Sequence, residues 1–207
     1  MFDNKRIMAS FRAINVRTLL ARQRALGRSN IEQPAIETVA QRDDEQQPRL
    51  IRFDRAEERK RLVDSEFFVN LLSQRATTPS PTLGEAACVV AGGYGACCTT
   101  TFDKLSQLAD RLGAALGGTR PAVDGGFLPH DRMIGRSGCS IKPTIYLAFG
   151  ISGDRLHTVG IDPSATIVAI NRDADAPLCR MADWVVIGDC EEVAVWLLNR
   201  LKGGSDA

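Results

Sequence analysis

The fold is decided by residues 87–95, which read ACVVAGGYG. In this stretch the small and apolar run Ala87–Ala91 leads directly into a glycine-rich turn. An apolar run of this length is typical of a strand that is covered on both faces of a sheet, and such strands are usually parallel. Residues 87–95 therefore predict a buried parallel strand followed by a turn whose backbone N–H groups can approach a phosphate.

Similar apolar runs predict four further strands, near Thr119 and at Thr144–Phe149, Thr166–Ile170 and Trp184–Ile187. Between the strands, apolar residues recur at intervals of three and four, which predicts helices that cover the sheet. These residues are Phe102, Leu105, Leu108, Ala109, Leu112 and Leu116, and later Val193, Trp196, Leu197 and Leu201. The alternation predicts a doubly wound, mainly parallel α/β sheet, a fold that binds ligands outside the carboxyl ends of its strands.

The first 80 residues have a different character. An arginine-rich helix is predicted at about residues 10–26, and a second helix from Asp54, as its N-cap, to about Gln74. Two prolines within the Ser/Thr cluster at residues 77–81 mark a linker. We therefore expect a basic, helical or flexible N-terminal extension over residues 1–80 and the α/β nucleotide-binding domain over residues 81–207.

Composition excludes several classes of function. The 207 residues carry 26 Lys+Arg and 25 Asp+Glu, a net charge of +1, so we expect no nucleic-acid partner. No apolar run approaches the roughly 20 residues that span a bilayer, so we expect no membrane insertion. Residues 1–30 are basic, as in an organelle transit peptide or in a helix that docks on an acidic partner. The predicted location is cytoplasmic, or the mitochondrial matrix if residues 1–30 are a transit peptide.

The cysteine pattern predicts a reducing compartment and no metal site. Six cysteines occur without a signal peptide, and no Cys-x-x-Cys or Cys/His cluster has zinc spacing. We interpret the adjacent pair Cys97–Cys98 as small buried side chains rather than as a redox centre.

Each predicted strand is followed by residues that contribute little to a core. They are Gly92-Gly93-Tyr94-Gly95, Arg120, Gly150-Ile151-Ser152-Gly153, Asn171 and Gly188-Asp189. The carboxyl ends of parallel strands meet at one edge of the sheet, and Ser152 also precedes a short predicted helix through His157 whose N-terminus favours an anion. The pattern predicts a pyrophosphate site, although each glycine taken alone also fits a tight turn.

Several well-known motifs are absent from the sequence. The turn after the first strand lacks the Gly-x-Gly-x-x-Gly dinucleotide pattern, and the chain has neither a Walker motif nor a Gly-x-Ser-x-Gly elbow. NAD dehydrogenases of the usual type, P-loop ATPases and serine hydrolases are therefore disfavoured, because each needs its residues at fixed spacing.

The stretch from Val89 to Asp189 resembles the C-terminal, FAD-binding domain of the electron-transfer flavoprotein α subunit. The likeness is carried by residues 89–93 (VVAGG), 108–110 (LAD), 118–124 (GTRPAVD), 135–138 (GRSG), 150–153 (GISG) with His157, 167–173 (IVAINRD), Ala176-Pro177, Ala182-Asp183 and Gly188-Asp189. Their order and spacing follow the family, and the stretch covers a little over half of the chain.

The resemblance implies FAD as the cofactor and gives several residues a role. Arg120 is implied to lie against the flavin ring and raise its reduction potential, the Ser137 hydroxyl to reach flavin N5, and His157 to lie near the pyrimidine oxygens. Ser152 and Gly153 are implied to meet the pyrophosphate. The complete implied set is Gly92, Gly93, Tyr94, Gly95, Thr119, Arg120, Arg136, Ser137, Gly150, Ser152, Gly153, His157, Asn171 and Asp189, of which the last two serve the adenosine half.

The sequence also departs from the family pattern. Tyr94 replaces an arginine near the phosphates, although its ring offers a surface for stacking on the cofactor. Arg136 replaces the usual glutamine before Ser137, and Cys139 stands where lysine is common. Residues 1–80 do not resemble the N-terminal α/β domain of the family.

The resemblance implies an electron carrier rather than an enzyme that transforms a substrate. Such a protein passes electrons from flavin dehydrogenases to a downstream, quinone-reductase-type acceptor, and an electron-transfer flavoprotein β-like subunit completes its flavin pocket. The alternative is a non-redox module, derived from the same domain, that binds an adenine nucleotide or acts structurally. A flavin- or NAD-dependent enzyme with its own substrate pocket is a third hypothesis.

Overall fold

A computed structural model describes residues 47–65, 68, 81–163 and 165–202. The predicted helix at residues 10–26 and the transit-peptide hypothesis at residues 1–30 lie outside the described residues. The same is true of residues 69–80, which contain the end of the predicted second helix and most of the predicted linker.

Within the described residues, six strands form one sheet in which all neighbours are parallel. The strands are β1 (Arg49–Arg52), β2 (Cys88–Gly92), β3 (Ala115–Gly118), β4 (Ile145–Phe149), β5 (Thr166–Asn171) and β6 (Trp184–Ile187). Their order across the sheet is β1-β6-β5-β4-β2-β3. The prediction of a doubly wound parallel α/β fold is confirmed.

The described helices alternate with the strands. They are α1 (Ala56–Val63), α2 (Thr99–Leu112), α3 (Arg120–Asp124), α4 (Arg155–Thr158), α5 (Pro177–Met181) and α6 (Cys190–Lys202), with 3-10 turns at Tyr94–Ala96 and His130–Arg132. Helices α2 and α6 carry the two apolar patterns that predicted covering helices.

One residue of the first helical pattern was assigned to the wrong element. Helix α2 ends at Leu112, because Gly113 adopts a left-handed conformation with a φ of 62°. Leu116 therefore lies in β3 and not in the helix, although it follows Leu112 at helical spacing. Periodicity alone misses such an end when apolar residues continue beyond the glycine.

The core lies on both faces of the sheet. Successive residues of a strand face opposite sides, so Val90 and Leu147 join one cluster while Val89 and Tyr146 join the other. Helices α2 and α6 cover the first face through Phe102, Leu105, Leu108, Leu112, Val193 and Leu197. This two-sided burial explains why the predicted strands are almost uninterrupted in their hydrophobicity.

Strand β1 was not predicted from the sequence. It pairs with β6 at the edge of the sheet, with Ile51 opposite Val186, and only Ile51 of its four residues is buried. Because it contains arginines and has a single buried residue, its sequence does not stand out from the basic stretch around it. The sheet therefore includes residues upstream of the expected boundary at residue 80.

The segment after β1 also packs on the core. The ring of Trp196 lies 5.6 Å from the ring of Phe53 and 5.3 Å from that of Phe68, measured between centroids. Helix α1 begins at Ala56 with Arg55 as its N-cap, so the prediction of Asp54 as the N-cap is wrong. The side chain of Arg55 does not cap the helix.

The described residues contain neither a candidate membrane span nor a candidate metal cluster. None of the described helices is long and apolar enough to cross a membrane. The described part of the chain contains no group of three or more His, Cys, Asp or Glu side chains that could hold a metal ion.

Candidate functional site

The direction in which successive strands are added to the sheet reverses between β2 and β4. From β2 the chain continues to its neighbour β3 on one side, and from β3 it returns to β4 on the other side. In doubly wound sheets ligands bind at such a point, because the loops that follow the two central strands diverge and leave a crevice. The loops after β2 and β4, at residues 93–98 and 150–154, border the candidate site.

The glycines of these two loops allow the loops to contact each other. The N–H groups of Gly93 and Gly95 donate to the carbonyls of Phe149 and Gly150 at 2.8 and 3.0 Å. A Cβ on Gly93 would lie 2.5 Å from the Gly150 oxygen. At these positions the structure supports the tight-turn interpretation, since both N–H groups already have acceptors within the protein.

Free backbone donors occur one residue further along the second loop. The N–H of Gly150 donates to Ile170 O at 2.8 Å, but no hydrogen bond among the described residues uses the N–H groups of residues 151–155. Gly150 and Gly153 have φ values of 63° and 92°, the positive range in which successive N–H groups can converge. This run contains Ser152 and Gly153, the residues that the sequence predicted at a pyrophosphate.

The short helix after this loop already has a cap. Asp154 is the N-cap of α4, and its Oδ1 accepts the N–H of Leu156 at 2.8 Å. The carboxylate thereby occupies the position at which an anion was predicted to bind the helix N-terminus. Donors for an anion consequently come from the preceding loop.

Thr119 carries an unpaired buried hydroxyl. It follows β3, its N–H donates to Gly92 O at 3.0 Å, and its side chain is almost completely buried. Its Oγ1 has no hydrogen-bond partner, the sole such case among the buried side-chain N and O atoms of the described residues. Leaving such a group unpaired costs about 1–3 kcal/mol, so this hydroxyl is suited to a partner that is not part of the chain.

Arg120 is exposed beside Thr119. Its Nε lies 3.3 Å from Oδ2 of Asp124, and the two side chains are 73% and 64% exposed. An ion pair at that exposure contributes little to stability, so the guanidinium can turn toward a ligand at small cost. Tyr94, at the end of β2, is also exposed, at 80%, and its ring is free to stack.

Arg136 and Ser137 lie on a loop that packs against α4. The N–H of Arg136 donates to Leu156 O at 2.8 Å. Gly135 has a φ of 129°, and a Cβ there would lie 2.4 Å from the same Leu156 oxygen. Both Arg136 and Ser137 are exposed, so their side chains are available to a ligand or a partner protein.

His157 is buried, and both of its ring nitrogens have partners within the protein. Its Nδ1 lies 3.0 Å from Ile134 O, and its Nε2 lies 2.7 Å from the hydroxyl of Tyr146. Burial lowers the pKa of the imidazole below its usual 6.5 and favours the neutral form. The structure therefore gives His157 the bonding of a structural histidine.

Asn171 ends β5 and acts locally as a turn former, and Asp189 follows β6 and acts as a helix cap. Asn171 donates from Nδ2 to Ile151 O at 3.2 Å and accepts the N–H of Asp173. Asp189 Oδ1 accepts the N–H groups of Glu191 and Glu192 at the start of α6. Asp189 also forms an ion pair with Arg172.

A cavity of about 340 Å³ opens beside Asp189 at the β1–β6 edge of the sheet. Its lining residues are Arg52, Phe53, Asp54, Arg59, Arg172, Ile187, Gly188, Asp189 and Glu192. The lining residues between Arg52 and Arg59 were not predicted from the sequence, because β1 was not predicted either. The local signal is the apolar pair Leu50–Ile51, which lies between Arg49 and Arg52.

Five of the predicted site residues therefore fall into one row of strand ends. Thr119 follows β3, Gly93 follows β2, Ser152 follows β4, Asn171 ends β5 and Asp189 follows β6. In the sheet these strands are consecutive neighbours. Because neighbouring strands lie about 4.8 Å apart, the row spans about 19 Å, which suits an extended ligand.

The cysteines are free thiols that differ in environment. Cys98 is exposed at the N-cap of α2, so its interpretation as a buried side chain is wrong, whereas Cys97 is half-buried. Hydrogen bonds from the Thr100 side chain and from the Thr100 and Thr101 backbone lower the pKa of Cys98. Burial raises the pKa of Cys88 and of Cys190 to about 12.

We expect Cys98 to react first with a thiol-specific disulfide reagent. The thiolate is the reactive form, so the reaction of Cys98 should reach its plateau at a lower pH than that of a free cysteine. Cys88 and Cys190 should react only after denaturation. Mass spectrometry of the labelled peptides, with Cys98→Ser as the control, checks this; labelling of Cys88 before Cys98 under native conditions would contradict it.

The fold and the row of strand ends define a doubly wound α/β domain with a candidate ligand site at its switch point. Residues 82–162 match the family model described as the electron transfer flavoprotein FAD-binding domain. This match confirms the resemblance that the sequence motifs indicated for this part of the chain.

Curated relatives agree with the family match. The chain is 46% identical over 134 residues to an electron transfer flavoprotein subunit alpha, mitochondrial, of Oryza sativa subsp. indica, covering 65% of this chain and 37% of that protein. It is 44% identical over 122 residues to an electron transfer flavoprotein subunit alpha of Mycobacterium leprae, covering 59% and 38%. With that of Thermoanaerobacterium thermosaccharolyticum it shares 34% identity over 170 residues, covering 82% and 50%.

The lengths of these matches bear on where the matched region begins in the chain. The chain spans half or less of the length of these three relatives. The match to the Thermoanaerobacterium protein is longer than residues 81–207 alone, so it includes residues upstream of the expected boundary.

Proposed function

We propose that the chain binds FAD at the row of strand ends and acts as an electron-transfer flavoprotein α-subunit-like electron carrier. The observation that carries the proposal is the unpaired, buried hydroxyl of Thr119, the residue that follows β3 and whose N–H donates to Gly92 O at the end of β2. A native protein rarely leaves such a group without a partner, and β2 borders the switch point at which this fold class binds nucleotides.

The residues present fit an FAD molecule that lies along the row. The N–H groups of residues 151–155 supply donors for the pyrophosphate, and they have no other acceptor among the described residues. The cavity beside Asp189 supplies space at the adenosine end. Thr119, Arg120 and Ser137 remain for the flavin end, and all three contribute hydrogen-bond donors.

A bound flavin would supply the capacity to accept electrons and to pass them on one at a time. The contribution of the chain is electrostatic. Arg120 carries a permanent charge that its exposed pair with Asp124 does not hold in place, and Arg136 offers a second cation from the loop packed on α4. Cations near the flavin favour its reduced, anionic form and raise its reduction potential.

We propose that a β-like subunit completes the site. Tyr94, Arg120, Arg136 and Ser137 are exposed, so the chain alone leaves the flavin end open to water. Next to them, Leu156 and Val159 of the α4 region are 58% and 61% exposed. Burial of these apolar side chains and exclusion of water from the flavin both favour a partner that covers this face.

The electron donors in this proposal are flavin dehydrogenases, and the acceptor is of the quinone-reductase type. The cytoplasmic location, with the mitochondrial matrix as the alternative, stays a prediction, because residues 1–30 lie outside the described residues.

The test is the visible absorbance spectrum of the purified full chain, alone and with a cognate β-like subunit, after incubation with FAD and removal of unbound cofactor. A retained flavin band in the complex is the expected result. Colourless protein in both samples would refute the cofactor proposal.

The Arg120→Leu variant should lower the reduction potential of the bound flavin by about 15–30 mV, which corresponds to about 0.7–1.4 kcal/mol for two electrons. The cause is the loss of the cation that stabilises the reduced flavin. The stability of the chain should change by less than about 0.5 kcal/mol, since the pair with Asp124 is exposed. Spectroelectrochemical titration of the complex measures the potential.

The matched control is Asp124→Asn, which breaks the same ion pair but keeps the guanidinium. Its potential should be unchanged or slightly higher. Equal potentials in the Arg120→Leu and wild-type complexes would contradict the role of Arg120.

The alternative function, binding of an adenine nucleotide without redox chemistry, is favoured by one observation. The cavity lies at the Asp189 end of the row, away from the proposed flavin end. In that case the chain should bind AMP or ADP in calorimetry with and without the β-like subunit, and neither Arg120→Leu nor Ser137→Ala should alter the affinity.

A further inference from the structure

A buried chain of hydrogen bonds links β4 to the loop that carries Arg136 and Ser137. The hydroxyl of Tyr146, a fully buried residue of β4, lies 2.7 Å from Nε2 of His157. On the other side of the ring, Nδ1 lies 3.0 Å from Ile134 O. The N–H of Ile134 in turn donates to Gly118 O at 2.9 Å, at the residue that precedes Thr119.

The chemistry of the partners determines where the protons are. A backbone carbonyl only accepts, so Nδ1 of His157 must carry a hydrogen and donate to Ile134 O. In the neutral ring Nε2 is then an acceptor, and the Tyr146 hydroxyl must donate to it. The Ile134 carbonyl thereby fixes the Nδ1–H tautomer, and the Tyr146 hydroxyl bonds to the other side of the ring and keeps the ring aimed at Ile134.

This chain of bonds reaches the loop of residues 134–139 at its buried end, Ile134, whose N–H is bonded to Gly118 O. The loop is also held to α4 by the bond from Arg136 N–H to Leu156 O, and it closes on itself through the bond from Cys139 N–H to Met133 O. Arg136 and Ser137 are exposed. The bond from His157 to Ile134 O is therefore one of the contacts that set where these two side chains are presented.

We propose that Tyr146 is a positioning residue which acts through His157 to hold the 134–139 loop. The relevance of the loop to flavin rests on the proposed function. The bond between His157 and Ile134 exists in the chain without cofactor. The positioning role and the proposed function are therefore tested by separate experiments.

The first experiment uses the full chain without cofactor. The chain has two histidines, so His130→Gln leaves His157 as the sole imidazole for ¹⁵N nuclear magnetic resonance. We expect a neutral Nδ1–H tautomer that persists below pH 6.5. In this background Tyr146→Phe removes the hydrogen bond at Nε2 and should shift the Nε2 resonance, while the Ile134 carbonyl keeps the hydrogen on Nδ1. The same change should speed hydrogen exchange of the Arg136 amide about five- to tenfold, as expected for the loss of one hydrogen bond.

Three controls separate positioning from general loss of stability. Tyr94→Phe changes the other tyrosine, which is exposed, and should leave the Nε2 resonance and the exchange unchanged. Leu147→Val destabilises the adjacent β4 position on the opposite face of the sheet and should not shift the Nε2 resonance. His157→Asn, which keeps a donor near the place of Nδ1, should protect the Arg136 amide better than His157→Ala does.

The second experiment measures FAD affinity of the complex with a β-like subunit, in which Tyr146→Phe should raise the Kd about five- to tenfold. If wild-type complex binds no flavin, the proposed function fails while the first experiment still decides the attachment. If Tyr146→Phe leaves the Arg136 exchange unchanged, the positioning role is overturned. If the exchange changes but the Kd of a flavin-binding complex does not, the importance of the loop for the site is overturned.

Discussion

The Gly153→Ala variant should be less stable than the wild type by about 3 kcal/mol. Gly153 has a φ of 92°, where any side chain costs about 1–2 kcal/mol. An added Cβ would also lie 2.3 Å from the Leu178 nitrogen and 2.7 Å from its Cα, so the backbone of two neighbouring loops must move apart. Overpacking of this kind adds about 1–3 kcal/mol. Urea unfolding followed by circular dichroism measures the difference.

Gly126→Ala is the matched control for this variant. Gly126 also has a positive φ, 77°, but an added Cβ would meet no atom within 4 Å. Its substitution should therefore cost only the backbone component, about 1 kcal/mol. Equal losses in the two variants would show that the contact between Gly153 and Leu178 is not as close as described.

Thr119→Val should have effects of opposite sign on the stability of the chain and on its affinity for FAD. Valine removes a buried hydroxyl that has no partner, so the chain without cofactor should gain about 1 kcal/mol. If the hydroxyl bonds to FAD, the same change should weaken binding about 30- to 100-fold, since a lost bond in a buried site costs about 2–3 kcal/mol. Urea unfolding and FAD titration of the complex measure the two quantities.

The control is the same substitution at a buried threonine whose hydroxyl is paired. Thr101 Oγ1 donates to Glu191 Oε2 at 3.4 Å, so Thr101→Val should destabilise the chain and leave FAD affinity within about twofold. A Thr119→Val variant that loses stability as Thr101→Val does, and binds FAD as the wild type does, would contradict both the unpaired state of Thr119 and its place in the site.

Much of the sheet could be predicted because its central strands are buried on both faces. The run at Trp184–Ile187 was predicted with its observed bounds, and the runs ending at Phe149 and Ile170 were displaced by one residue at most. Strand β1 was not predicted, because it is not buried on both faces. It is an edge strand, so Ile51 alone is buried and the sequence around it reads as polar.

The positions of the site residues could also be predicted, but their bonding could not. A residue that follows an apolar run in a parallel sheet must lie at the carboxyl edge, which placed Thr119, Ser152 and Asn171 correctly. Whether His157 is free and Thr119 is unpaired depends on Tyr146, Ile134 and other residues distant in the sequence. The glycine turns likewise gave no indication that Gly93 would face Gly150 rather than a ligand.

The sequence by itself determined the class of the fold: uninterrupted apolar runs that alternate with helical patterns specify a covered parallel sheet, and the motifs at the strand ends indicate the family that this part of the chain resembles. Only the tertiary structure decided which donors remain available. Hydrogen bonding between strands and loops is non-local, so the same residue types become either structural bonds, as at Gly93 and His157, or open positions, as at Thr119 and residues 151–155.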